Sequence, residues 1–187
     1  DYLAKKYNAE IVTGIENDDR VVMEAYKQPN NVVIGVDKDF YGCPVRFFNA
    51  NRADEGIING DCFGKLWRND KGDVRGYGRM FSYFQTCSND TSDHYAANCF
   101  SELKWADVSA YNALCESTND KEAWLNIEKV FKKLYPEPKT VVGWRGTEIN
   151  IDWEYVMNEC FDMARMIRFD GDKVVASDVL NKMKGKL

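Results

Sequence analysis

The stretch Asn31-Val32-Val33-Ile34-Gly35-Val36-Asp37-Lys38-Asp39-Phe40 decides how the rest of the chain is read. Its β-branched apolar run predicts a strand buried on both faces of a parallel sheet. The run ends in two carboxylates, Asp37 and Asp39, flanking Lys38. In extended chain, residues 37 and 39 point to the same side, and open parallel sheets bind ligands beyond the carboxyl ends of their strands. Two carboxylates aimed there repel each other unless a cation sits between them.

Working outward, Glu10 to Thr13 reads as a short strand ended by Gly14. Asp18 to Lys27 carries apolar residues at 21, 22, 25 and 26, a helical spacing, and Pro29 stops it. Val45 to Phe48 is a further strand candidate. Strand, helix and strand in this order build a doubly wound sheet. Asp61 to Tyr77 is Gly-rich and charged, so a loop or hairpin is expected. After Gly78 the spacing becomes helical, over Arg79 to Thr86, Tyr95 to Leu114, Asp120 to Tyr135 and about Ile151 to Arg168. Asn119 or Asp120 caps the third of these helices and Pro136 closes it, while Lys182 to Leu187 reads as a frayed end. The fold class expected is α/β: residues 1–78 as the latter part of a mostly parallel sheet domain, and 79–187 as a helical region.

The balance of 25 basic against 30 acidic residues gives a net charge of −5, which on its face disfavours a nucleic-acid partner. The distribution matters more than the total. Seven of the acids fall in three tight clusters, and without them 23 acids face 25 bases. No apolar run approaches the ~20 residues of a membrane span. The opening Asp1-Tyr2-Leu3-Ala4-Lys5-Lys6 has neither the apolar core nor the cleavage site of a signal peptide, and without an initiator Met it reads as part of a longer product. Six scattered cysteines and a single His make a zinc site unexpected. Scattered thiols in a chain with no export signal suit a reducing, cytoplasmic compartment.

The first cluster is Glu16-Asn17-Asp18-Asp19 at a strand-to-helix turn, where residues 16 and 19 share a helix face. Acids there also complement the helix dipole. The second is Asp37 and Asp39. The third is Asn89-Asp90-Thr91-Ser92-Asp93, whose two acids stand one helical turn apart and also suit a helix N-cap. Taken together, carboxylate-only clusters suit Mg2+ or Mn2+. Two such ions about 3.5–4 Å apart clamp the attacking and leaving oxygens of a phosphodiester.

Gly14-Ile15-Glu16-Asn17-Asp18-Asp19, Val36-Asp37-Lys38-Asp39-Phe40 and Asn89-Asp90-Thr91-Ser92-Asp93-His94 resemble, in order and spacing, the acidic motifs of the 5′–3′ exonuclease and flap endonuclease family. Phe84-Gln85-Thr86 and Ala164-Arg165-Met166-Ile167-Arg168-Phe169 are similar to segments of its short-tailed phage members, so the resemblance covers residues 8 to 170. It implies a PIN-like 5′-nuclease sheet domain followed by a helical DNA-binding region. Glu16, Asp18, Asp19, Asp37, Asp39, Asp90 and Asp93 would be the ligands of a two-metal site, with Asp37 and Asp39 central to catalysis. It further implies hydrolysis of DNA to 5′-phosphate ends in phage replication or degradation. The chain departs from the pattern at Asn17, Asn89 and His94, and Tyr95-Ala96-Ala97-Asn98-Cys99-Phe100 replaces a glycine-rich continuation that approaches phosphate. The family's first strand and basic arch have no counterpart before Glu16, so the resemblance points to an N-terminal companion chain.

Lys38, His94, Lys132, Lys133 and Arg145 are the expected contacts to duplex DNA with a 5′ end or flap. Tyr77, Phe81, Tyr83 and Phe84 have the spacing of core residues rather than base-stacking ones. Two other functions compete. One is a non-catalytic DNA-binding module derived from the same fold. The other is an RNA-directed PIN-type nuclease, which the helical stretch after Asp90 disfavours.

Overall fold

The computed structural model describes residues 2–90, 94–143 and 145–185. A short helix α1 (Tyr2–Tyr7) leads through irregular chain to α2 (Asn17–Tyr26). Next come β1 (Val32–Gly35), a 3-10 turn at Asp39–Gly42, β2 (Arg46–Asn49) and β3 (Ile57–Asn59). A hairpin of β4 (Lys65–Arg68) and β5 (Val74–Tyr77) delivers the chain to α3 (Arg79–Cys87). A two-residue ladder pairs β6 (Asn89–Asp90) with β7 (Tyr95–Ala96), and α4 (Asp107–Leu114) and α5 (Asp120–Leu134) follow. A second hairpin, β8 (Lys139–Val142) and β9 (Glu148–Ile151), precedes α6 (Trp153–Ala164) and α7 (Ala176–Met183). The chain is therefore mixed α/β with small sheets, and no helix among the described residues is long and apolar enough to cross a membrane.

β1 and β2 pair in parallel, Val33 opposite Phe47, and β3 joins β2 antiparallel, Phe47 opposite Ile58. A mostly parallel sheet was expected; the largest sheet described has one parallel and one antiparallel pairing. The expectation that β1 is buried on both faces also fails. Val33 is 3% exposed, whereas Ile34 is 72% exposed, because successive side chains point to opposite faces and only one face of β1 meets the core. Glu10 to Thr13 forms no strand, since no described strand lies beside it to complete a ladder.

α3 is the hub. Met80, Phe81, Tyr83, Phe84, Gln85, Thr86 and Cys87 are all buried, and the helix packs on α4, α5, α6 and the first hairpin. Phe81, Tyr83 and Phe84 are core residues, as their spacing predicts, and Tyr77 is half-buried beside them. Trp124 of α5 sits edge-on between Tyr83, at 5.5 Å, and Phe161 of α6, at 5.4 Å. One continuous apolar cluster runs from Val22 to Leu180 through both halves of the chain. Two glycines permit the close turn into α3. Gly64 and Gly78 have φ of +75° and +70°, and a Cβ on Gly64 would meet the Tyr77 carbonyl at 1.8 Å.

Asn119 caps α5 as expected: its Oδ1 accepts from the Glu122 N–H at 3.0 Å, and Glu122 in turn accepts from the Thr118 N–H at 2.8 Å. Asn119→Ala should therefore cost about 1 kcal/mol, read as a fall of a few degrees in Tm. An unchanged Tm would show that the cap carries no stability.

The helix expected over Tyr95 to Leu114 is confined to Asp107–Leu114. Upstream of it, side chains compete for the backbone groups a helix would use. Asn89 accepts from the Ala97 N–H and donates to the Trp105 carbonyl, and the Tyr135 hydroxyl donates to the Ala97 carbonyl while accepting from the Phe100 N–H. The fourth expected helix stops at Ala164, where the backbone of Arg165 turns extended. The second hairpin and α7 had no place in the sequence expectation.

Candidate functional site: a cleft of carboxylates beside the parallel strands

Glu16, Asp18, Asp19, Asp37 and Asp39 line one cleft of about 670 Å3. Two elements bring them together. Glu16 is the N-cap residue of α2 and Asp18 and Asp19 occupy its first turn. Asp37 and Asp39 follow the C-terminal end of β1. The rest of the wall is the C-terminal end of α6 and the chain that follows it, from Asp162 through Ile167, together with Asp172 and Lys173.

The 37–39 segment is not the extended chain the sequence suggests. Asp39 opens a 3-10 turn, and its N–H donates to Asp37 Oδ1 at 3.0 Å, so the two carboxylates are set by a turn rather than by strand alternation. Asp39 is half-buried and its Oδ1 accepts from the Gln85 amide of α3 at 2.5 Å. Asp19 accepts from the Ile167 N–H at 2.6 Å, which fastens α2 to the far wall. The Cys43 thiol beneath is pushed well above its ordinary value, first by burial and then by Asp39, Asp19, Asp18 and Asp37. Four acids from two clusters therefore act on one buried atom.

Asp90 lies beside this group rather than on the cleft wall. It is buried, in β6 rather than at a helix start, so the N-cap expectation is corrected. Lys38 Nζ meets Asp90 Oδ2 at 2.6 Å. Burial works to lower the Lys38 ammonium, yet Asp90, with Asp39 and Asp107, raises it above the ordinary lysine value. The third motif thus comes within a lysine's reach of the second. Asp93 lies outside the described residues.

Among the described residues no three His, Cys, Asp or Glu side chains form a group that could hold a metal ion. The donor set of the cleft is nonetheless all oxygen, the chemistry of Mg2+ or Mn2+ rather than zinc. All six cysteines are free and none lines the cleft.

The other expected DNA contacts are dispersed. His94 is exposed in the turn before β7, with φ of 56°. Lys132 bonds Glu128 at 2.7 Å and lies over the Trp153 ring, and Lys133 lies over the Trp105 ring. Arg145 is in the β8–β9 turn. None of these four lines the cleft.

Sequence reading missed Asp172. Its side chain is 1% exposed and accepts from Arg165 Nη1 at 2.8 Å, from Arg168 Nε at 2.7 Å and Nη2 at 2.8 Å, and from the Arg168 N–H at 3.0 Å. Arg168 beside it holds the carboxyl down at about 2, against burial, with Arg165 adding to the effect. This knot shapes the cleft wall that carries Ile167. The only hint in the sequence is an acid placed near two arginines in a polar loop.

No family model, curated protein or solved structure matches the chain.

Proposed function

We propose that this chain is the metal-binding part of a divalent-metal-dependent 5′-nuclease, acting on DNA and working with an N-terminal companion segment. The observation that carries the reading is the cleft itself: Glu16, Asp18, Asp19, Asp37 and Asp39, distant in sequence, line one wall-to-wall cavity beyond the end of a parallel strand. Asp37 and Asp39 would hold Mg2+ or Mn2+, with Asp18 and Asp19 lining the same cleft. Such an ion would lower the pKa of a bound water and stabilise charge on the phosphodiester. Gln85 and the Ile167 N–H orient Asp39 and Asp19, as partners of metal-ligating carboxylates do. Lys173, exposed on the cleft rim, is placed to meet an incoming phosphate. A PIN-like sheet and a helical DNA-binding region belong to the same proposal.

The test is cleavage of a 5′-flap duplex by the chain, alone and with its upstream segment, in Mg2+ or Mn2+. Product carrying a 5′-phosphate, lost on chelation, is the expected result. A second reading, a DNA-binding module without chemistry, draws on the Lys38–Asp90 ion pair, which commits one of the seven acids to a lysine. Binding of the flap substrate with no cleavage in either combination selects that reading and removes the first.

A further inference from the structure

A second cavity, of about 310 Å3, opens on the other side of Lys38. It too lies at the C-terminal ends of the parallel pair, between Val36, which follows β1, and Asn49, the last residue of β2. Its character is the reverse of the carboxylate cleft. Lys38, Arg52 and Arg75 line it against a single carboxylate, Glu55, which is itself occupied by the Tyr41 hydroxyl and by Arg52 Nη1 at 3.3 Å.

The hairpin supplies the far side. Trp67 and Arg75 are directly opposed across β4 and β5, and so are Lys65 and Tyr77. Strand alternation puts these four on one face, while Leu66 turns into the core. The Lys65 ammonium lies 5.6 Å from the Trp67 ring centroid and the Tyr77 ring 6.3 Å away, edge-on. Trp67 is 37% exposed, so part of the indole is open to solvent. Arg75 Nε is buried without a hydrogen-bond partner among the described residues, although Nη2 reaches Asp73 at 3.2 Å. An unpaired guanidinium donor in a cavity wall is costly unless an acceptor reaches it.

An aromatic face, guanidinium groups and the Asn51 amide around a cavity at the lower end of ligand-pocket size match one chemistry: a base to stack and a phosphate to bind. We propose that the β4–β5 face and this pocket bind a single-stranded nucleic-acid segment, one base against Trp67 and its phosphate at Arg75 and Arg52. Lys38 lines the pocket and is bonded to Asp90, so a strand seated here runs past it toward Asp37 and Asp39. The inference rests on the nuclease reading for the direction of the strand, and its test needs no cleavage.

The experiment is fluorescence anisotropy with labelled 5′-phosphorylated oligo-dT and oligo-U, in chelator and at low salt. The parental chain should bind, and Trp67→Ala and Arg75→Gln should each weaken binding roughly tenfold. Trp67→Phe, which keeps a ring, should recover most of the loss. Because Trp67→Ala removes no charge, its effect separates stacking from general electrostatic attraction. Far-UV circular dichroism shows whether each variant is folded. Parental affinity in both Trp67→Ala and Arg75→Gln, or no binding of either oligonucleotide by the parental chain, overturns the proposal. Retained binding in a chain that never cleaves removes the nuclease reading and leaves this site standing.

Discussion

Asp37→Ala is expected to reduce metal-dependent cleavage of a 5′-flap substrate by more than about 100-fold, with the fold intact. That figure is the upper end of the loss from deleting a hydrogen-bond partner of a metal ligand, and a ligand itself should cost no less. Asp90→Ala is expected to lower cleavage less, because Asp90 lies off the cleft wall and acts through Lys38. Stability should barely move at position 37. Asp37 is exposed, its hydrogen bond from the Asp39 N–H serves the local turn, and its removal relieves repulsion within the cleft. Asp90→Ala frees Lys38, whose side chain is already 56% exposed, so no buried charge is stranded there. Both variants should unfold within a few degrees of the parental chain. Cleavage at the parental rate by Asp37→Ala, with the companion segment present, would remove the nuclease assignment.

Asp172→Ala should be the most destabilising change of a charged residue, by about 3–5 kcal/mol. The carboxylate is enclosed, and Arg165, only 12% exposed at its side chain, would be left without its main counter-charge. A drop in Tm of order 10 °C follows for a chain of this size. The pH dependence has a definite sign. The folded carboxyl sits at about 2 against an ordinary value of 3.8, so its contribution is complete above about pH 4 and disappears as pH falls through 2. The difference of just under two pKa units corresponds to about 2 kcal/mol. The linkage figure is smaller than the truncation figure because a protonated carboxyl still accepts hydrogen bonds, whereas alanine takes the acceptor away from both guanidinium groups and leaves Arg165 with the carbonyl of residue 172. Urea unfolding at pH 7 and pH 2.5 measures both, and an Asp172→Ala chain with parental stability at pH 7 would show that the knot contributes nothing. The variant should also impair any activity of the cleft, because the 165–172 segment carries the Ile167 N–H that holds Asp19.

Several elements were legible because their signals are local. The β-branched run at 32–35, the amphipathic helix at 17–26 and the Asn119 cap are each specified by residues a few positions apart, and all three are present. The grouping of Glu16, Asp18, Asp19, Asp37 and Asp39 was expected from the resemblance of the acidic motifs, although the strand at Glu10 to Thr13 that was to lead into the first of them does not form. Other features depended on partners far along the chain. Residues 95–106 have helical spacing, but Asn89 and Tyr135 take their backbone groups. The cationic pocket went unseen because Lys38, Arg52, Trp67 and Arg75 occupy three elements with no shared motif.

What the amino-acid order determined alone was where the chain turns helical or extended at its strongest periodic segments, and which acids stand together at the end of β1. What only the tertiary structure decided was the environment of each acid: Asp90 is paired with Lys38, Asp39 is held by Gln85, and Asp172 is sealed by two arginines. The reason is physical. Backbone propensity acts over a few residues, whereas the environment of a charge is set by whatever the fold carries to within a few ångströms of it.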